Sequence, residues 1–240
     1  GSEMCIRDRR FVPSCTSELM TGLAKLAKEY DVPVQSHLSE NHGEIDWVAS
    51  LHPESSNYTD VYYEHHLMGT VPTVMAHCIH LSDVEMDRMA ETQTMVSHCP
   101  YSNVNLSSGI APIRKLIERN IPIGLGSDIS GGHIVSMAKV LTEAIGLSKM
   151  KWAEVDPNYA PLTLSEAFYM ATKGGGQFFG HVGSFEKGYE LDALIIDDTS
   201  LFDPNERSLE ERLERWLYVG DDRHIIERYV AGRVVPSPKG

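Results

Sequence analysis

Three apolar runs in this sequence end on groups that are costly to bury without a partner. VPVQSHLSE (32–40) reaches His37 and then Glu40, TVMAHC (73–78) reaches His77, and IPIGLGSD (121–128) reaches Asp128. A fourth, TMVSHCP (94–100), reaches His98 before Pro100. Imidazole and carboxylate side chains brought together are the donor set of a Zn²⁺ site. A further carboxylate such as Glu40, one short turn beyond His37, is suited to general acid–base work. A single strand-end histidine is more often a hydrogen-bonded structural residue than a ligand. His, His and Asp recurring at one kind of position favour the ligand reading.

Continuous apolar runs of this length suit strands buried on both faces, as in parallel sheets. Helical patterns separate them. TSELMTGLAKLAKEY (16–30) has Thr16 or Ser17 as N-cap and an apolar face at Leu19, Leu23, Leu26 and Ala27. LSDVEMDRMAE (81–91) carries a Ser82/Glu85 capping box, and IAPIRKLIERN (110–120) stops at Asn120. Strand alternating with helix means βα units. The run ends at 37, 77, 98 and 128 have a mean step of about 30 residues, against ~31 per unit in an eight-stranded barrel. The C-terminal strand ends of such a barrel form its mouth, where active sites are built. Periodicity therefore leads to a metal hydrolase and stops short of a substrate.

The 240 residues carry a net charge of −13, which argues against nucleic acid and anionic membrane as partners. No apolar run is long enough to span a membrane as a helix. Cys5, Cys15, Cys78 and Cys99 make no tight framework, and a reduced, cytoplasmic setting is the simplest reading. Residues 1–9, GSEMCIRDR, read as a non-native junction. KGGGQ (173–177) lacks the GK[ST] of a phosphate loop and reads as a helix C-cap with close packing. Trp47, Trp152 and Trp216 read as packing residues, and His65-His66 as a solvated helix end.

RFVPSC, QSHLSEN, NYTDVY, VMAHCIHLS, HCPYSNVNLSSG, IGLGSDISGG, ATKGGGQFFG, GYELDALIID and YVGDDRHIIERYVAGRVV together resemble the amidohydrolase superfamily and, within it, the guanine deaminases. The resemblance implies the C-terminal half of a (β/α)8 TIM-type barrel, from the end of strand four to strand eight, with C-terminal strands of a small flanking β-sandwich. The partial barrel would occupy 10–184 and the sandwich segment 185–240. It implies one zinc ion, with His37 and Asp128 as metal ligands, and guanine as substrate. Asp128 would also take a proton from the attacking water, and Glu40 would protonate the purine ring. His77 would stand beside the nucleophile, while Arg10 and Phe11, with His37, Glu40 and Asp128, would contact the purine. The planar guanidinium of Arg10 suits the O6/N7 edge of guanine. A turn-shaping role is expected for His98; His80 and His133 would line the mouth.

The superfamily also draws two ligands from a His-x-His on strand one, and none precedes Arg10 here. The expectation is that this is the C-terminal part of a longer enzyme, inactive by itself and homodimeric when whole. Rival readings are an adenosine-, cytosine- or triazine-directed relative and a non-catalytic barrel scaffold. Arg10, Phe11 and NLSSG weigh against the first, and the presence of His37, Glu40, His77 and Asp128 together against the second.

Overall fold

The computed structural model describes residues 11–236. Strands β1 (Val34–Leu38), β2 (Thr73–His77), β3 (Met95–His98) and β4 (Ile123–Leu125) form one parallel sheet in chain order. Helix α1 (Ser17–Glu29) precedes β1; α2 (His42–Leu51) and α3 (Tyr58–Glu64) join β1 to β2. Helix α4 (Asp83–Glu91) joins β2 to β3, α5 (Pro100–Asn105) and α6 (Ile113–Glu118) join β3 to β4, and α7 (Met137–Glu154) and α8 (Leu164–Tyr169) follow. This is the expected partial barrel.

Side-chain alternation divides the sheet. Ser36, Leu38, Met75, Val96 and Ile123 are buried, and the last four of these belong to the apolar core shared with the helices. On the other face His37 is in register with Ala76, Ala76 with Ser97 and Ser97 with Gly124, so small residues follow His37 across the sheet. A Cβ on Gly124 would lie 2.7 Å from Met95 Cε and 2.9 Å from Gly175 Cα. The glycine is needed for that close approach. KGGGQ therefore packs against β4, as its glycines suggest, although Met170–Gly174 is a π-helical turn that prolongs α8.

Helix starts are encoded locally. Asn41 and Glu44 box the start of α2, Ser82 and Glu85 that of α4, and Thr163 and Glu166 that of α8. The Arg114 guanidinium grips Glu166 at both oxygens, at 2.7 and 3.0 Å, tying α6 to the start of α8 and holding that carboxyl down at about 2.

A second, antiparallel sheet holds β5 (Ala193–Ile196), β6 (Ile225–Val230) and β7 (Arg233–Val234). Ala231 and Gly232, at φ 49° and 73°, make the two-residue turn between β6 and β7. Helix α9 (Leu209–Val219) buries Trp216 and Leu217 and packs on α7, where Lys139 Nζ donates to the Tyr218 carbonyl at 2.8 Å.

Some expectations differ from the structure. The buried face of α1 is Met20, Ala24 and Ala27, while Leu19 and Leu26 are about half exposed. Leu23 and Leu26 instead line an open apolar groove of about 290 Å³ with Tyr30, Val32 and Pro33. Trp47 and Trp152 are each 50% exposed, and of the three tryptophans only Trp216 is buried. Among the described residues no helix is long and apolar enough to cross a membrane.

Candidate functional site

His37 stands one residue before the end of β1, and His77 is the last residue of β2. Glu40 lies two residues past β1. Asp128 lies three residues past β4, not at a strand end as the apolar run suggested. The strand stops at Leu125, and the chain turns through Gly126 to an Asp128 with φ 43°. His77 also has a left-handed φ, of 69°, which takes it out of the strand alternation. Its ring stacks on that of His37 with centroids 5.4 Å apart, so both imidazoles share one face. His77 Nε2 lies 3.7 Å from Glu40 Oε2 and 4.0 Å from Asp128 Oδ2. The structure thus brings His37, Glu40, His77 and Asp128 together at the C-terminal edge of the sheet.

Each group is held from behind. The Tyr62 hydroxyl donates to the His37 carbonyl at 2.9 Å and accepts from Ser36 Oγ at 2.8 Å. Glu44, buried at the start of α2, accepts the Glu40 backbone N–H at 2.9 Å and the Tyr58 hydroxyl at 2.7 Å. Burial pushes the Tyr58 phenol up, so it remains a donor. The NYTDVY segment is in this way a brace for the β1 end. His77 Nδ1 lies 2.9 Å from Asn103 Oδ1, an atom that only accepts, so Nδ1 carries the proton and Nε2 is presented to the carboxylates. Asn103 escaped sequence reading as a site residue, although it stands inside the SNVNL segment.

The SDISGG loop wraps Asp128. Gly132 N–H returns to the Asp128 carbonyl, and Asn105 Nδ2 donates to the Gly131 carbonyl at 2.7 Å. A Cβ on Gly131 would sit 2.6 Å from Asp128 Oδ2 and 2.7 Å from Ser102 Oγ. The missing side chain is the seat of the carboxylate.

The remaining histidines separate. His98 is fully buried, its Nδ1 has no hydrogen-bond partner among the described residues, and burial, with His77 nearby, lowers its pKa to about 3. It is uncharged at neutral pH. His80 Nε2 donates to the Ser108 carbonyl at 2.8 Å, and its ring centroid lies 4.0 Å from that of His42. Burial lowers its pKa. His133 packs edge-on against Tyr101. Phe11 packs edge-on against Trp47, at 6.2 Å. Arg10 lies outside the described residues. Burial raises Cys78 well above the usual thiol range and Cys99 to about 12, which makes both poor nucleophiles.

His37 and Asp128 supply nitrogen and oxygen donors suited to a divalent cation, and Gly131 leaves room for the carboxylate. Among the described residues no group of three or more His, Cys, Asp or Glu is arranged to hold a metal ion.

Residues 6–235 match the amidohydrolase family. The chain belongs to that family. This amidohydrolase is 44% identical over 233 residues to the guanine deaminase of Dictyostelium discoideum, covering 94% of this chain and 51% of the relative. It is 37% identical to the guanine deaminase of Escherichia coli, covering 94% of this chain and 52% of the relative. The chain spans about half the length of the curated relatives it matches. Among solved structures, a C. acetobutylicum guanine deaminase with bound guanine in the active site superposes with a TM-score of 0.91 at 54% identity. That match covers 94% of this chain and 54% of the other. A zinc-bound adenosine deaminase from Xanthomonas campestris, 22% identical with a TM-score of 0.79 and covering 91% of this chain and 48% of that one, shares the fold.

Proposed function

We propose that the whole protein hydrolyses guanine to xanthine and ammonia, with zinc as its metal. The observation that carries this reading is the approach of Glu40 and Asp128 to one imidazole edge, at 3.7 and 4.0 Å from His77 Nε2. The similarity to guanine deaminases supports guanine as the substrate.

His37 and Asp128 are the residues that would hold the ion. Zinc bound there supplies Lewis acidity and lowers the pKa of a water to ~7. Asp128 accepts a proton from the water that attacks C2 of the purine. Glu40 delivers a proton to ring nitrogen N3, which lets C2 accept the new bond. His77, fixed by Asn103, presents Nε2 to the oxygen that becomes the product carbonyl. The remaining water proton passes to the amine, the C2–N bond breaks and ammonia leaves, and the proton held by Asp128 returns to Glu40 for the next turnover. Phe11, and Arg10 beside it in sequence, would bind the purine.

The test compares ammonia release from guanine and from adenine by the complete gene product. Guanine should be preferred, and Glu40→Gln should lower turnover by ~10²–10⁴-fold with metal retained. Near-normal turnover in that variant refutes the assignment.

A further inference from the structure

Ser108 lies 68 residues after Glu40 and is buried, 6% exposed. Its hydroxyl donates to Glu40 Oε1 at 2.9 Å, and the other oxygen, Oε2, is the one that faces His77. The residue is itself held on two sides. Its backbone N–H donates to the Asn103 carbonyl at 2.8 Å, and its carbonyl accepts from His80 Nε2 at 2.8 Å. Asn103 is the residue whose side chain fixes His77. The turn is shaped to allow this. Ser107 has φ 57° and Gly109 φ 127°, and a Cβ on Gly109 would lie 3.1 Å from Ile79 Cγ2 and 3.3 Å from His80 Cε1. One short segment, Asn103–Gly109, therefore reaches both members of the Glu40–His77 pair.

We propose that Ser108 is a positioning residue for the reaction: its hydroxyl locks one oxygen of Glu40 and so aims the other at His77 and the substrate. The proposal rests on the reading of Glu40 as the acid–base group. A carboxylate on a flexible two-carbon stem has several rotamers, and a single donor on Oε1 selects among them. His80 then acts one step further back, by keeping the Ser108 carbonyl in place. The NLSSG segment gains a mechanical role.

The experiment is a double-mutant cycle in the complete, metal-loaded gene product, with Ser108→Ala, Glu40→Ala and the pair. Ser108→Ala should lower kcat on the order of 10- to 100-fold, the equivalent of one hydrogen bond to a charged acceptor, with KM little changed. Ser108→Thr, which keeps the hydroxyl, should recover most of that loss. In the Glu40→Ala background the serine change should cost nothing further, since its effect acts through the glutamate. Additive losses, or a Ser108→Ala variant with full kcat, overturn the proposal. If Glu40→Ala itself keeps its turnover, the reading of Glu40 fails instead. A crystal structure of Ser108→Ala decides independently of any substrate: loss of the 3.7 Å approach of Glu40 to His77 supports the proposal, and an unmoved carboxylate overturns it.

Discussion

Gly131→Ala is the substitution whose consequence can be worked most directly from the site. The added Cβ would stand 2.6 Å from Asp128 Oδ2 and 2.7 Å from Ser102 Oγ. Both contacts are roughly 1 Å short of the ~3.5 Å at which non-bonded carbon and oxygen atoms are comfortable. Ser102 is fully buried on α5 and has little freedom to retreat. Gly131 is pinned through its carbonyl by Asn105. The Asp128 carboxylate is therefore the group that moves, by on the order of 1 Å, and its 4.0 Å placement against His77 Nε2 is lost. A misplacement of that size costs ~10²-fold in turnover, whereas a single overpacked methyl costs ~1–3 kcal/mol of stability. In the complete gene product, and on the proposed reading of guanine as its substrate, the assay pairs kcat/KM for guanine with a thermal melt and metal content after dialysis. Gly131→Ala should remain folded, lose about two orders of magnitude in kcat/KM and hold metal less tightly. Full activity with an unshifted Asp128 would refute the reasoning that the glycine seats the carboxylate.

Two further substitutions test stability. Gly146 lies mid-way along α7 with nothing within 4 Å of an added Cβ, so Gly146→Ala should raise stability by ~0.5–1 kcal/mol in denaturant titration. Glu166 has a carboxyl depressed from 4.5 to about 2, first by its bonds to Arg114. Its contribution is present above pH 4.5 and is lost as pH falls towards 2. Glu166→Gln should cost about 2 kcal/mol at pH 7, discounted because the side chain is a third exposed, and the cost should vanish in melts near pH 2. A cost that does not change with pH would reject the ion-pair account.

Much of the parallel sheet was legible because its strands are apolar runs with a polar residue at or shortly before or beyond the C-terminal end. TVMAHC differs from β2 by one residue, and TMVSHCP encloses β3. The starts of α4 and α1 were legible through Ser82 and Thr16, since capping is chemistry between near neighbours. Helices α2 and α9 carry equally good boxes, at Asn41/Glu44 and Ser208/Glu211, but their apolar periodicity is weak or lies among charges. The inward face of α1 was read only in part, through Ala27, because leucines dominate a hydropathy pattern, while the helix buries Met20 and Ala24 beside it. The four site residues were visible as types at or just beyond the ends of apolar runs. Their supports were not, since Tyr62 to His37, Asn103 to His77 and Ser108 to Glu40 are bonds across 25, 26 and 68 residues. Such partners are set by packing, and no local spacing announces them.

Two groups of left-handed residues have opposite consequences for engineering. Asp31, Gln93 and Asn120 sit in exposed turns between helix and strand, where glycine would take the same backbone shape at less steric cost. His77 and Asp128 hold the same kind of φ, 69° and 43°, but there the side chain is the chemistry. A stabilisation campaign can relax the turns freely. At the end of β2 and in the turn beyond β4 it meets a ceiling, because the conformations that cost the fold stability are the ones that bring an imidazole and a carboxylate to the same point.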